Sequence, residues 1–222
     1  MKLTKRILCL AMAAVMLFAL CACGDKGSDA TKTKPSDSVP ADTSSGPKAP
    51  AEAEDVAIAF MRAHYTRDYA TRFTMTFYDS RQQWEDERIA ETGSAEEFFA
   101  MAQEQADAKG IEATVDSFDS YYRCYHEVYV ASILDIYGPY TLSVTIAENV
   151  RMDDARWEQV RNNLLGAIDE KYIDGEAFGA IPEAYELTVN VNVDGEKNDF
   201  SENYLVYMVY HDGQWLVASH SA

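Results

Sequence analysis

Tyr204-Leu205-Val206-Tyr207-Met208-Val209-Tyr210-His211-Asp212-Gly213-Gln214-Trp215-Leu216-Val217 is the stretch whose reading decides the fold. Asp212-Gly213 between two apolar runs signals a two-residue hairpin, because both central residues of that tight turn need positive φ. The turn sets Tyr210 opposite Trp215 and Val209 opposite Leu216, and so fixes the register. Tyr204 to Tyr210 is apolar on both faces, as a central or covered strand should be. Upstream, Leu187, Val189, Val191 and Val193 alternate with Glu186, Thr188, Asn190 and Asn192, the period of a half-buried strand. Asp194-Gly195 opens a polar turn between the two strands. This antiparallel meander is the expected stable centre.

Helical patterns precede it. Glu54 and Asp55 stand before Val56, Ile58, Phe60, Met61 and Ala63, an amphipathic helix with an acidic start that runs to Tyr69. Asp79 to Glu91 is charge-rich, with Trp84 and Ile89 as its large apolar anchors. Ser94 and Glu97 form a capping box, after which Phe98, Phe99, Ala102 and Ala106 face inward until Lys109-Gly110 closes the helix. A further helix starts at Asp153-Asp154 and carries Trp157, Val160, Leu164 and Ile168 on one stripe.

Between these lies the aromatic segment. From Phe118 to Val130 the chain alternates, which predicts a strand with Tyr121, Arg123, Tyr125, Glu127 and Tyr129 on one face and Tyr122, Cys124, His126, Val128 and Val130 on the other. Gly138-Pro139 marks a turn, and Thr141 to Val150 reads as the return strand. Six of the fourteen tyrosines fall between residues 121 and 140. Tyrosine pairs a large apolar ring with a polar tip, which suits both strand packing and recognition. Tyr121, Arg123, Tyr125 and Tyr129, with His126, are therefore the candidate binding residues. Together these patterns predict an α+β fold, a curved antiparallel sheet packed on N-terminal helices.

The N-terminus is of a different kind. Lys2, Lys5 and Arg6 precede an uncharged, largely apolar run from Ile7 to Ala22. As a helix that run would span roughly 24 Å, short of a hydrocarbon core of about 30 Å. A basic start and a short apolar core predict a cleaved export signal, residues 1–22. Leu20-Cys21-Ala22-Cys23 at its end resembles the lipobox of bacterial lipoproteins, which implies cleavage after Ala22 and a lipid on the sulfur of Cys23. Two or more acyl chains hold a protein durably at a membrane. Gly24 to Pro50 then contains five Ser, three Thr, four Pro and a single large apolar residue, Val39. Such a composition cannot offset the entropy of ordering, so residues 23–50 read as a lipidated, disordered tether spanning roughly 30 Å. One domain, residues 51–222, follows.

That domain holds 12 Lys and Arg against 33 Asp and Glu, a net of −21. Nucleic acid is an excluded partner, since phosphate binding depends on Lys and Arg. Cys9 and Cys21 leave with the signal and Cys23 is lipidated, so Cys124 stands alone and no internal disulfide forms.

Signs of chemistry are few. His126-Glu127 begins like a zinc-protease motif, but Val130 occupies the place of the second His. Cys124 and His126 share a strand face, yet i, i+2 spacing rarely gives the hydrogen bond an activated thiol needs. Asp194, Glu196, Asn198 and Asp199 lack the glycine and closing glutamate of a calcium loop. The sequence calls for no cofactor and no metal.

The first helix leading into Arg67-Asp68-Tyr69, and the closing hairpin Asp212-Gly213-Gln214-Trp215-Leu216-Val217, resemble the nuclear transport factor/ketosteroid isomerase-like superfamily. The resemblance implies a sheet wrapped cone-like around helices, often with a pocket at the open end. The helical material from Asp79 to Gly110 and the helix at Asp153 depart from that pattern, and no catalytic position of the family matches. The leading reading is a lipid-anchored protein of the cell membrane, facing outside the cytoplasm. Its domain, without catalysis, binds an envelope protein or a small ligand. Two alternatives stay open: an acid–base enzyme using a pocket inside the cone, and an envelope-assembly protein with no pocket.

Overall fold

The computed structural model describes residues 49–221. The signal, the lipobox and residues 23–48 of the tether lie outside the described residues. Four antiparallel strands, β1 (Tyr140–Arg151), β2 (Ala184–Gly195), β3 (Asp199–His211) and β4 (Gln214–Ser221), follow one another in the order β1-β2-β3-β4. Asp212 and Gly213 take φ values of 48° and 83°, and Tyr210 pairs with Trp215 and Val209 with Leu216. The register read from Asp212-Gly213 is the one observed. The sheet is curved and unclosed, with register shifts between Ile146 and Glu148 and between Tyr207 and Met208. Extra residues of this kind bend a strand and raise its twist.

Helix α1 (Ala51–Thr66) lies across one face of the sheet. Ala53, Ala57, Phe60 and Met61 are buried against Val144, Leu187, Val189, Val191, Val206, Met208 and Val217. The two alanines let the helix approach closely, and each fully buried Leu or Phe contributes about 2 kcal/mol from area removed from water. Ala49, at the end of the expected tether, is itself buried, its N–H donating to Asn149 Oδ1 at 2.8 Å.

The opposite face is covered at one end. There α6 (Asp154–Ala167) and α7 (Gly175–Gly179) bring Trp157, Val160 and Phe178 over Ala184, Val209, Leu216 and Ala218. Elsewhere that face is polar, with Asn190 Nδ2 donating to Asn203 Oδ1 at 2.8 Å. A third core joins α2 (Tyr69–Phe73), α3 (Ser80–Thr92), α4 (Ala95–Ala108) and α5 (Phe118–Tyr137) through Tyr69, Trp84, Phe98, Ala102, Ala106, Tyr121 and Tyr122. Asp68, Asp79, Ser94, Asp153 and Asp174 each cap a helix by accepting from the N–H three residues on. At Ser94 that half of the expected capping box is made, through Glu97 N at 3.1 Å.

Two expectations are corrected. The first helix stops at Thr66 rather than Tyr69, because Arg67 turns left-handed and Asp68 starts α2. More substantially, the segment predicted as a strand from Phe118 is the twenty-residue helix α5. Ser117 and Ser120 cap each other's backbone N–H at its start, and Gly138 N–H donates to Leu134 O at its end. The alternation from Phe118 to Val130 misleads because aromatic residues favour strands only when a sheet offers a pleat to pack on. Here Phe118, Tyr121, Tyr122, Tyr125 and Val128 form a helical stripe against α2, α3 and α4. A spacing of four fits both periods, so Tyr121, Tyr125 and Tyr129 still share a face, while Arg123 and Glu127 leave it.

Gly195, at the β2–β3 turn, meets the end of α5 so closely that an added Cβ would lie 2.7 Å from both Tyr137 O and Asn198 O. Backbone atoms cannot yield as a flexible side chain does. Gly195→Ala is expected to lower stability by about 2 kcal/mol or more. Gly213→Ala, with open space but φ of 83°, is expected to cost about 1 kcal/mol. Urea midpoints of the two variants check both values.

Candidate functional site

Helix α1 ends where Arg67 adopts φ 59°, with Arg67 N–H donating to His64 O and Asp68 N–H to Ala63 O. Asp68 Oδ1 then accepts from Thr71 N–H at 3.1 Å and turns the chain into α2. This tight reversal brings Arg72 back against the last turn of α1. Arg72 Nη1 lies 3.3 Å from His64 Nδ1. A guanidinium has only donors, so Nδ1 accepts and the neutral ring carries its proton on Nε2.

The sheet supplies the fourth member. In β4, Met208 pairs with Val217 and Tyr207 with Ser219, which leaves Ala218 as the extra residue. That one-residue insertion reverses the alternation and turns His220, opposite Val206, onto the α1 face. The His220 ring stands edge-on to His64 at 4.6 Å and to Phe60 at 5.1 Å. Tyr204 of β3 flanks His64 at 6.3 Å. The Arg67 guanidinium lies 5.2 Å over the Tyr129 ring, and that of Arg72 lies 4.9 Å over Tyr69 and 5.2 Å over Phe73.

Half of the domain's twelve Lys and Arg residues make no ion pair among the described residues. Of these, Arg62, Arg123 and Lys197 are exposed and Arg161 donates to Gly179 O, whereas Arg67 and Arg72 are partly buried against aromatic rings. Six Lys and Arg residues make ion pairs elsewhere, namely Arg81, Arg88, Lys109, Arg151, Arg156 and Lys171. Among the described residues neither Arg67 nor Arg72 makes one. Asp68 caps α2, and Glu202 accepts from Tyr204 OH at 2.7 Å. Burial, then His220, Arg67 and Arg72, push His64 down to about 2. Burial, then Arg72 and Arg67, push His220 down to about 4. Burial also lowers Arg72, and it raises Tyr129 to about 12. The site is two guanidinium groups and two neutral imidazoles walled by aromatic rings. So weak a pair of bases suits holding a negative group better than moving a proton.

Of the residues read from sequence, Tyr129 and His126 stand at this site. His126 Nδ1 is 2.8 Å from Thr66 O and ties α5 to the end of α1. Tyr121 is buried in the helical core, where burial raises its hydroxyl, and Tyr125 stacks on it at 5.2 Å. Arg123 points outward and is exposed. Cys124 is buried in that core too, and on a helix i, i+2 residues point apart, so no thiol–imidazole pair forms. The acidic turn is structural, with Asn198 Nδ2 donating to Ile136 O at 2.7 Å, and no cluster of three metal-ligating side chains occurs among the described residues. Sequence reasoning misses His64, Arg72 and His220 as site residues, and it quotes Arg67 only for the family resemblance. His64, four residues beyond Phe60 on the apolar stripe, is legible there; the bulge that turns His220 has no sequence signature.

Elsewhere, a shallow open groove of about 500 Å³ is lined by Glu52, Val56, Met75, Tyr210 and Trp215. It gathers no comparable charge. Comparison with protein-family models, with curated proteins and with solved structures returns no match.

Both imidazoles are less basic folded than unfolded, so the unfolded chain alone takes up their protons as pH falls below about 6.5. Their contribution is intact above that value and is lost on acidification, His220 down to about 4 and His64 down to about 2. Between pH 7.5 and 5 each histidine is expected to remove about 2 kcal/mol of stability. Urea unfolding at the two pH values checks this, and the His64→Gln/His220→Gln double variant is expected to lose most of the difference.

Proposed function

We propose that this chain is a lipoprotein exported by residues 1–22, cut after Ala22 and anchored through lipid on Cys23, with its domain outside the cytoplasm. The domain binds a ligand or a partner and does not transform it. Leu20-Cys21-Ala22-Cys23 and the basic start of the signal support the anchoring, and the composition of the tether suits a spacer. Likeness to the nuclear transport factor/ketosteroid isomerase-like superfamily belongs to the same proposal. It is supported by a curved, unclosed antiparallel sheet with a helix across one face.

The single observation that carries the binding role is the pair of partly buried guanidinium groups, Arg67 and Arg72, set over aromatic rings beside two imidazoles with no ion-pair partner among the described residues. Every side chain of the cluster keeps partial exposure. Acid–base catalysis by this histidine pair would need one imidazole poised near neutrality, and burial beside the arginines holds both well below it.

Metabolic labelling with a fatty-acid probe tests the anchoring. The native chain is expected to take the label and Cys23→Ala to lose it. Equal label in the two would overturn the proposal.

A further inference from the structure

We propose that the His64–Arg67–Arg72–His220 cluster is an oxyanion site, which takes a carboxylate or phosphate group of the ligand against its two guanidinium groups and gains a proton on His220 as the anion arrives. The inference rests on the domain being a binding module, and it names the chemistry of what is bound.

A simpler account would make these cations caps for the negative end of α1, an effect of about 0.3–1 kcal/mol that fades within one turn. It suits His64 and Arg67, whose Nη1 lies 3.5 Å from His64 O. It does not cover Arg72, which stands on α2, or His220, which stands on β4. The aromatic rings beneath the guanidinium groups satisfy their faces and leave edge N–H donors for a planar or tetrahedral oxyanion. Arg72 gives one N–H to His64 and retains the rest of its fork.

The groups that face the imidazole pair are cationic or neutral on nearly every side. They are Arg67 at the cap of α1, Arg72 and Tyr69 on α2, Tyr129 and His126 on α5, and Tyr204 on β3, while the two carboxylates in these same segments are engaged, Glu202 by the Tyr204 hydroxyl and Asp68 by Thr71 N–H. Burial first, and positive neighbours second, keep the rings neutral in the empty site. An anion between the arginines offsets the second of these causes, so protonation of His220 and anion binding favour each other. Binding therefore strengthens as pH falls.

Sodium sulfate titrated into the detergent-solubilised protein, at ionic strength fixed with sodium chloride, tests this through the ring signals of His64 and His220. Sulfate keeps two charges throughout, so any pH effect comes from the protein. The expected result is saturable millimolar or tighter binding, about fivefold or more tighter at pH 5 than at pH 7.5. Arg72→Gln and Arg67→Gln are each expected to weaken it about tenfold, and His220→Gln to keep binding at pH 7.5 while losing most of the pH effect. Acetate and inorganic phosphate at pH 7 separate a carboxylate from a phosphate preference, and saturable binding of either supports the site. Shifts that follow ionic strength alone, or unchanged affinity in Arg72→Gln, overturn it; if Arg72→Gln fails to fold, Arg67→Gln decides. No anion binding together with normal fatty-acid label on Cys23 overturns this inference and leaves the anchored lipoprotein standing. Anion binding without the label does the reverse.

Discussion

Close contact between α1 and the sheet is the constraint on which the other features depend. Ala53 and Ala57 present almost no side chain, so the helix backbone settles onto Leu187, Val189, Val206 and Met208 while Phe60 and Met61 fill the space farther along. A larger residue at either alanine would lift the helix and open voids that a packed interior does not tolerate. With α1 held down, its last turn has to meet the far end of β4. Meeting there are His64 and His220, and the reversal at Arg67-Asp68 adds Arg72.

That meeting place is electrostatically expensive. A partly buried guanidinium without a carboxylate is costly because some of its hydration is lost and not replaced by a countercharge. Stacking on Tyr69, Phe73 and Tyr129 offsets part of the loss, at about 0.5–2 kcal/mol for each ring. A chain with 33 acidic residues in its domain has ample means to place one beside Arg72, and Asp68 is already four residues away. Its carboxylate instead accepts from Thr71 N–H. Local rules broken without a compensating gain in stability are the mark of a site. Elsewhere the fold follows those rules more closely, with six helix caps made by Asp or Ser and ion pairs whose members all keep some solvent exposure.

Legibility from sequence tracks how local each determinant is. Asp212-Gly213 sets its own register because a two-residue turn admits few geometries, and alternation in β2 reveals which residues face α1. Helix starts at Asp79, Ser94 and Asp153 are visible as caps. The segment from Phe118 misleads because its tyrosines pair a strand-like composition with a spacing that serves either period; the reciprocal Ser117–Ser120 cap is the local signal that points to a helix. At the site, Tyr129 and His126 are singled out by sequence on opposite faces of a strand, where the chain forms a helix. His220 is hidden by a non-local cause, since only the pairing of β3 with β4 shows that Ala218 is the extra residue. Arg72 is hidden likewise, because its neighbour His64 lies across a chain reversal.

The central claim is that the protein itself leaves this cationic cluster uncompensated, with both imidazoles neutral in the free site. Nitrogen-15 spectra of the His64 and His220 rings, followed from pH 7.5 to 4.5 in the absence of multivalent anions, test it most directly. The account predicts two neutral rings down to pH 5, with His64 protonated on Nε2 alone. Either ring titrating near its ordinary 6.5, or His64 carrying its proton on Nδ1, would contradict it.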